Sequence, residues 1–372
     1  MKEKQWTDDF NPFNWMKFFA HVYRWREIGK IPAPAPVQVG IDPSNLCQLD
    51  CAWCNSSYIR NKNPKMISKE TLIEIADFLP HFTDHPIYGG VESVCIAGGG
   101  EPLTNPATQD FIDRIRENKM KPVVITNGIN LHKFDLGNCE WVGVSIDSGT
   151  RETYNKLKRG DQFDKVIKNL ENLVKTKGII SRSGKGHGVG YKFIMYPGNV
   201  NDIYPATKIA KDVGCRNIVI TPYAPAFKGV GEPPKYFTQD DINRFRNQLS
   251  KARKLEDDNF KVYGITHKFD NKFQGINNFE KCYAILFASH FEPPTTKGKG
   301  FDVNICCDRR GDPRLTQKDT NIEKFRKYWG SKEHLSLVDK INPQKCGRCI
   351  RAAHNRIYEN AIRKENMSYE FG

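Results

Sequence analysis

Short apolar runs rich in β-branched residues alternate along the chain with longer stretches whose apolar residues recur at helical spacing. The runs predict strands and the stretches predict amphipathic helices. The predicted strands are 37–41, 93–97, 122–126, 141–146, 190–195 and 217–221, and the helices after them are 69–79, 108–118, a short one near 131–136, 163–175, 200–213 and 239–255. Six strand–helix units predict an α/β fold with a parallel sheet and right-handed crossovers. Periodicity alone fits an open doubly wound sheet as well as most of a barrel.

The pattern changes at both ends of this region. Residues 1–36 are rich in Trp and Phe and end in Ile-Pro-Ala-Pro-Ala-Pro, which predicts an extended linker. From about residue 270 Gly, Pro and Lys become frequent and predicted helices are sparse. We therefore expect three regions: an N-terminal extension (1–36), the strand–helix domain (37–260) and a small C-terminal domain (261–372).

The cysteines are grouped rather than scattered. Of 11 cysteines, Cys47, Cys51 and Cys54 come early, five lie between 282 and 349, and Cys95, Cys139 and Cys215 stand alone. The start, MKEKQWTDDF, lacks the apolar segment of a signal peptide, and no apolar run reaches the ~20 residues that span a bilayer. We expect a cytoplasmic protein without a membrane partner. In that compartment grouped cysteines indicate metal or redox chemistry rather than disulfides.

The charge balance bears on partners. A formal net charge of +14 favours anionic partners such as phosphorylated metabolites, nucleotides or an acidic redox protein. Because the basic residues are mostly dispersed along the chain, the pattern favours a polar or anionic small-molecule substrate over nucleic acid.

The early cysteines directly follow the first predicted strand, in the order Cys47-x3-Cys51-x2-Cys54. Three thiolates on one short loop can hold an iron–sulfur cubane but leave one iron without a protein ligand. That iron can chelate an amino and a carboxylate group. Zinc is the alternative, although structural zinc sites normally carry four protein ligands.

This segment resembles the signature of the radical S-adenosylmethionine (SAM) superfamily, with Trp53 at its aromatic position. The resemblance implies a partial (β/α)6 barrel, a partial form of the TIM barrel. It also implies a 4Fe–4S cluster held by Cys47, Cys51 and Cys54, with SAM bound at the open iron.

Later strand ends carry further likenesses to the family. Gly98-Gly99-Gly100-Glu101-Pro102 resembles its GGEP motif, whose glycines and acid engage the methionyl amino group, and Thr126-Asn127-Gly128 resembles its TNG. Ser145-x-Asp147 is similar to a motif that reaches the methionyl carboxylate and ribose. By this resemblance the cofactor-binding residues are Trp53, Gly99, Gly100, Glu101, Pro102, Asn127, Ser145 and Asp147. Strand five adds Lys192 as a candidate, although a lone strand lysine is more often a solvated charge. The motifs lie at C-terminal strand ends, where α/β barrels build active sites.

The late cysteines resemble a twitch or SPASM-type extension, in which a hairpin and a closing C-x2-C hold an auxiliary cluster. The resemblance implies a second 4Fe–4S cluster with Cys282, Cys306, Cys346 and Cys349 as ligands. Cys307 is the alternative to Cys306, and zinc is the alternative metal for this site. A cluster with four thiolate ligands leaves no iron for substrate, so an electron-transfer role is expected.

The resemblance implies a radical SAM oxidoreductase that reductively cleaves SAM with electrons from a flavodoxin or ferredoxin. Its 5′-deoxyadenosyl radical would take hydrogen from a sugar, aminosugar or nucleotide derivative, for dehydrogenation or epimerisation. Cys95, inside strand two, is a candidate hydrogen donor, although the pattern favours a thiol that fills the core. One alternative is modification of a ribosomal precursor peptide, for which residues 1–36 are short as a leader-binding domain. Another is a non-catalytic electron carrier or zinc-binding module.

Overall fold

The computed structural model describes residues 19–54, 56–57, 65–176, 188–223, 237–266, 269, 279–295, 300–346 and 349–364. Residues 1–18 of the predicted N-terminal extension lie outside this part of the chain. Within it, no helix has the length and apolar character needed to cross a bilayer.

The described strands form one sheet, and its long central part is parallel. The strands are β1 (Gln38–Ile41), β2 (Ser93–Ile96), β3 (Lys121–Thr126), β4 (Trp141–Ser145), β5 (Val189–Met195), β6 (Asn217–Pro222), β7 (Lys261–Gly264), β8 (His290–Glu292), β9 (Phe301–Asn304) and β10 (Thr316–Thr320). Their order is β10-β9-β8-β1-β2-β3-β4-β5-β6-β7. Every pair from β8 to β7 is parallel, whereas β8–β9 and β9–β10 are antiparallel. The six predicted strands and the α/β class are confirmed, with ends shifted by a residue or so.

Helices connect the parallel strands and cover one face of the sheet. The described α-helices are α1 (Phe19–Trp25), α2 (Lys69–Phe78), α3 (Thr108–Glu117), α4 (Arg151–Lys158), α5 (Phe163–Lys175), α6 (Ile203–Asp212), α7 (Gln239–Arg253), α8 (Ile322–Tyr328), α9 (Lys332–Lys340) and α10 (Ala352–Ile357). Side-chain caps define several helix starts: Ser68, Thr150 and Thr238 each accept a hydrogen bond from a first-turn backbone N–H. The short helix predicted near 131–136 is a single 3-10 turn, Leu131–Lys133.

The two faces of the parallel strands differ in burial. Val94 and Ile96 of β2 face the helices and are fully buried, whereas Ser93 and Cys95 on the other face are only half-buried. β1 shows the same alternation. Because successive strand residues point to opposite faces, the helix-covered face of β1 and β2 is more completely buried than the opposite, inner face.

The sequence did not predict β7 or β8. β7 pairs with β6, and β8 pairs with β1, so the sheet runs on beyond residue 260, where the predicted barrel domain ends. Lys-Val-Tyr-Gly and His-Phe-Glu are too short and too polar to stand out as apolar runs. The β8–β10 hairpins are joined to the barrel by an aromatic cluster in which Phe325 contacts the rings of Phe82 and Phe291.

Candidate active site and auxiliary cysteine site

The first three cysteines lie on the loop that leaves the C-terminal end of β1. The loop is held against the end of α4, since the Ala52 amide donates to the Leu157 carbonyl at 2.9 Å. A turn brings the Cys54 amide within 3.0 Å of the Cys51 carbonyl. All three thiols are half-buried, and those of Cys47 and Cys54 are close enough for their charges to act on Cys51. Burial raises the pKa of the Cys51 thiol to about 12, against the opposing effect of the Lys158 charge. Iron binding must therefore displace a proton there.

A buried ion pair lies beneath this loop. Lys158, at the end of α4, is 2% exposed and pairs with the carboxylate of Asp147, which is 1% exposed. The Lys158 ammonium also donates to the Ser145 carbonyl at 2.9 Å and lies 5.6 Å from the centre of the Trp53 ring. Lys158 therefore links the cysteine loop to the end of β4. Sequence analysis missed it, because a lysine in the last turn of a helix normally signals solvent exposure.

The glycine loop after β2 packs directly on the cysteine loop. A Cβ at Gly100 would lie 2.3 Å from the Leu46 carbonyl oxygen, a distance that no side chain tolerates. The Glu101 amide donates to the same carbonyl at 2.6 Å. Gly99 donates its amide to the Asp42 carboxylate. Glycine is thus required at position 100 by close backbone approach, and the motif fits the loop that it faces.

Glu101 connects the loops that follow β2 and β3. Its carboxylate accepts hydrogen bonds from the Thr126 hydroxyl at 2.6 Å, the Asn127 amide at 2.7 Å and the Leu103 amide at 3.1 Å. Burial nevertheless raises its pKa to about 7. The Asn127 side chain in turn approaches the Cys47 sulfur, with Nδ2 and Sγ 3.9 Å apart. Pro102 opens the 3-10 turn that follows. The described contacts of Glu101 position loops, and the expected contact with the methionyl amino group stays a prediction.

Asp147 ends β4 in a left-handed backbone conformation, with φ of 61°. This conformation turns its carboxylate toward β5, where Oδ1 accepts from the Ile194 amide at 2.6 Å. Ser145 is half-buried on the inner face, and its register partner on β5 is Lys192. The structure therefore brings Ser145, Asp147 and Lys192 together, as predicted from strand position.

A buried charged network joins β1 to β8 and to the hairpin beyond it. Asp42 accepts a hydrogen bond from His290, with 2.6 Å between Oδ1 and Nε2, and pairs with Arg310. Burial would raise the pKa of Asp42, but the charge of Arg310 and the contacts with His290 and Gly99 hold it at about 2. Glu292 lies 3.9 Å from Arg310, and burial raises its pKa to about 7. Sequence analysis missed this network because its members are nearly 270 residues apart and follow no local motif.

The late cysteines line one apolar cavity. Cys282, Cys306, Cys307, Cys346 and Cys349 all border it, together with apolar side chains that include Phe279, Ile305 and Leu315. Burial raises the pKa of Cys282 to about 11 and that of Cys349 to about 12. The cavity thus collects thiols from three separate segments in apolar surroundings. That donor set fits a thiolate-ligated cluster.

Cys306 and Cys307 differ in what they face. The Cys306 thiol lies close enough to Cys282 for the two charges to interact, and burial raises its pKa well above the ordinary value. The charge of Cys307 acts on Cys306 and also reaches Cys95 and Arg310, at the mouth of the barrel. Both thiols border the cavity, so Cys306 stays the expected fourth ligand and Cys307 the alternative.

The described residues contain no group of three or more His, Cys, Asp or Glu side chains already arranged around one metal-ion position. The thiols of each site are nonetheless gathered within interaction range, and the glycine loop packs closely on the loop that carries the first set. The residues present therefore fit a cluster at each site and SAM beside the first.

The comparisons with known proteins agree with this arrangement. Residues 41–188 match the model of the radical SAM superfamily. The matched range runs from the end of β1 through the cysteine loop to the start of β5. The cofactors expected from the sequence, SAM and two 4Fe–4S clusters, are in accord with this match.

Curated relatives include a probable GTP 3′,8-cyclase of Saccharolobus islandicus, 22% identical over 213 residues, or 56% of this chain and 63% of that protein. A probable GTP 3′,8-cyclase of Methanococcus maripaludis is 28% identical over 134 residues, or 34% of this chain and 42% of that protein. The chain thus spans less than two thirds of the length of these relatives.

Among solved structures, Streptococcus suis SuiB has a TM-score of 0.60 at 16% identity, covering 87% of this chain and 71% of its own. The structure of anSMEcpe with bound AdoMet has a TM-score of 0.54 at 15% identity, covering 86% and 91%. At these identities the likeness shows a shared fold that extends into the C-terminal region.

Proposed function

We propose that the protein is a radical SAM oxidoreductase that acts on a small polar metabolite in the cytoplasm. The observation that carries the proposal is the convergence of the cysteine, glycine and Ser145–Asp147 loops at one end of an open barrel. A cluster held by Cys47, Cys51 and Cys54 would supply the one electron that cleaves the C5′–S bond of SAM to methionine and a 5′-deoxyadenosyl radical. That radical would take a hydrogen atom from a C–H bond of the substrate and become 5′-deoxyadenosine.

The barrel residues hold the reactants in place. Trp53, Gly99, Gly100, Glu101, Pro102, Asn127, Ser145 and Asp147 shape the SAM site, and the half-buried inner face admits the substrate. Dehydrogenation requires the substrate radical to lose one further electron and one proton, and the thiol-lined C-terminal cavity supports an electron acceptor there. Epimerisation instead requires a hydrogen atom from a donor, for which Cys95 on the inner face is suitably located. A sugar, aminosugar or nucleotide derivative fits either outcome.

Reductive cleavage of SAM is the direct test. Anaerobically reconstituted protein, reduced with dithionite or with flavodoxin or ferredoxin, should form methionine and 5′-deoxyadenosine in equal amounts. SAM should also change the EPR signal of the reduced cluster. The Cys47, Cys51 and Cys54 triple Ala variant is the matched control. Protein that carries iron at these thiols, binds SAM and cleaves none of it would contradict the proposal.

A second candidate, peptide modification, is favoured by the structural neighbours. SuiB has been solved with its precursor peptide SuiA, and anSMEcpe with the peptide Kp18Cys, at TM-scores of 0.59 and 0.54. Both likenesses cover more than 85% of this chain. Formation of 5′-deoxyadenosine that rises on addition of a peptide library, and not of small metabolites, would favour this candidate.

A further inference from the structure

The inner face of the barrel has an aromatic floor. Gly143 on β4 and Gly190 on β5 lie side by side in register and lack side chains on this face. The ring of Trp141 fills the space: a Cβ at Gly143 would lie 2.3 Å from Cη2 and one at Gly190 2.5 Å from Cζ2. The two glycines therefore let Trp141 lie flat across β4 and β5, below the level of Ser145 and Lys192.

Lys192 extends over this floor. Its Cδ would be 2.8 Å from a Cβ at Gly143, and its ammonium lies 5.9 Å from the centre of the Trp141 ring. In the described part of the chain Lys192 forms no ion pair with a carboxylate. The acid whose charge reaches it, Asp147, is already paired with Lys158 and bonded to the Ile194 amide. Burial accordingly lowers the pKa of Lys192.

Arg351 brings a second cation to the same space from the C-terminal region. It comes two residues after Cys349, whose sulfur accepts a hydrogen bond from the Arg351 backbone amide. Its buried Nε has no hydrogen-bond partner among the described residues, where Arg351 also forms no ion pair. Its positive charge acts on Cys95 and on His290, both at the inner face.

The Cys95 thiol lies within electrostatic range of both cations. The charges of Lys192 and Arg351 both reach its thiol and oppose the burial that raises its pKa to about 11. Arg310, at the same mouth, differs because Asp42 neutralises it. Two partly buried cations that have no carboxylate partner in the described part of the chain are stabilised by an anion that joins them, since no ion pair offsets their desolvation.

We propose that Lys192 and Arg351 form an anion-binding subsite that holds a carboxylate or phosphate group of the substrate over Trp141 and beside Cys95. The inference rests on the proposed function, which it deepens by naming the charge of the substrate. It also assigns Lys192 to the substrate rather than to SAM. The subsite joins a barrel strand to a residue two positions after the auxiliary cysteine Cys349, so substrate would lie between the two cysteine sites.

The test is calorimetric titration of the reconstituted holoenzyme, with SAM saturating so that its own anion site is filled. One arm uses inorganic phosphate, pyrophosphate and tripolyphosphate, and the other uses acetate, glycine and succinate. At least one series should bind, and Lys192→Met and Arg351→Met should each weaken it about tenfold or more, because a charge-assisted contact is lost. Lys192→Arg should retain binding. Lys121→Met, which removes an exposed strand lysine on β3, should leave it unchanged.

Binding of the phosphate series would indicate a phosphorylated metabolite, and binding of the carboxylate series an amino-acid or peptide substrate. Binding of neither series, or equal binding by both Met variants and wild type, would overturn the subsite. A loss of SAM affinity in Lys192→Met with anion binding intact would show that Lys192 binds SAM rather than the substrate. Iron content and melting temperature identify a variant that fails to fold, in which case Lys192→Gln and Arg351→Gln replace it. SAM cleavage without substrate separates this result from a failure of the proposed function.

Discussion

The two cysteine sites are built in opposite ways. The first takes three thiols from one loop of eight residues, and its supporting groups, Lys158 and Asp147, come from the end of the neighbouring β4–α4 unit. The second collects its thiols from positions 282, 306, 346 and 349, which meet only when the β8–β10 hairpins and α10 have packed. The thiols of the first site therefore come from one short segment after a barrel strand, whereas the second site forms only when distant segments pack together.

The two cysteine sites also differ in the charges that surround their thiols. The first site has an ammonium buried among its thiols, and the described contacts of Lys158 place positive charge beside Cys51. The second lies in a cavity bordered mainly by apolar side chains, with Arg309 and Arg351 at its edge. Charge and burial both set the potential of an iron–sulfur cluster. The two sites are thus expected to differ in potential, as electron entry and electron acceptance require.

The largest effect is expected from removing the local site. Replacing Cys47, Cys51 and Cys54 together with Ala should reduce SAM cleavage to background, because no thiolate remains to hold the first cluster. About half of the iron should stay in the protein, bound by the C-terminal thiols. Iron analysis and 5′-deoxyadenosine formation measure the two outcomes. A complete loss of iron would show that the second site cannot form without the first.

The next largest effect is expected from single cysteine replacements at the C-terminal site, which identify its cluster ligands. Cys306→Ala should lose about half of the iron while SAM cleavage continues, since its thiol faces Cys282 inside the cavity. Cys307→Ala is the matched control and should keep both clusters if Cys306 is the ligand, because Cys307 then interacts with Cys95 and Arg310 rather than with iron. The reverse result would make Cys307 the ligand. Replacing Cys346 and Cys349 with Ala should act like Cys306→Ala and should also lower product yield once a substrate is known.

These differences explain what could be predicted from sequence. The first site could be predicted from the sequence because its cysteines, Gly100 and Asp147 each lie at a strand end within a short motif. The six strands could be predicted because their helix-facing residues, such as Val94 and Ile96, are apolar at every second position. β8 could not be predicted, because its three residues include a His and a Glu and show no apolar pattern. The pairing of Asp42 with Arg310 depends on that strand, so no local signal could reveal it.

Replacing Lys158 tests how much the buried Lys158–Asp147 ion pair beside the first site contributes to stability. Lys158→Met should destabilise the protein by about 3–5 kcal/mol, because Asp147 would be left as an uncompensated buried charge. Adding Asp147→Asn should restore much of the loss. The control, Arg159→Met, removes an exposed pairing with Asp50 and should cost less than about 1 kcal/mol. Urea unfolding of the iron-free chain measures all three, and equal effects at positions 158 and 159 would contradict the buried pairing.

The smallest effect concerns the carboxyl that links the loops of the first site. Burial raises the pKa of Glu101 from 4.5 to about 7, although three donors contact its carboxylate. The folded chain therefore retains a proton that the unfolded chain releases above pH 4.5. Glu101 then contributes stability that is fully present below about pH 4.5 and is lost as the pH rises through 7, by at most about 3 kcal/mol. Glu292 has the same direction of shift, so the two contributions add in one window.

Glu101→Gln should flatten that pH dependence, because the amide does not titrate. The variant should also lose some stability at every pH, since an amide cannot accept from all three donors and leaves one backbone or hydroxyl group unmatched. Glu292→Gln provides the comparison from the C-terminal hairpin, and the double variant should remove most of the slope between pH 4.5 and 7. Unfolding free energies of the iron-free proteins across that range measure the slope. A slope unchanged in Glu101→Gln would mean that the three hydrogen bonds outweigh burial and keep Glu101 ionised. In that case the carboxylate is available as a fixed negative charge beside the SAM site.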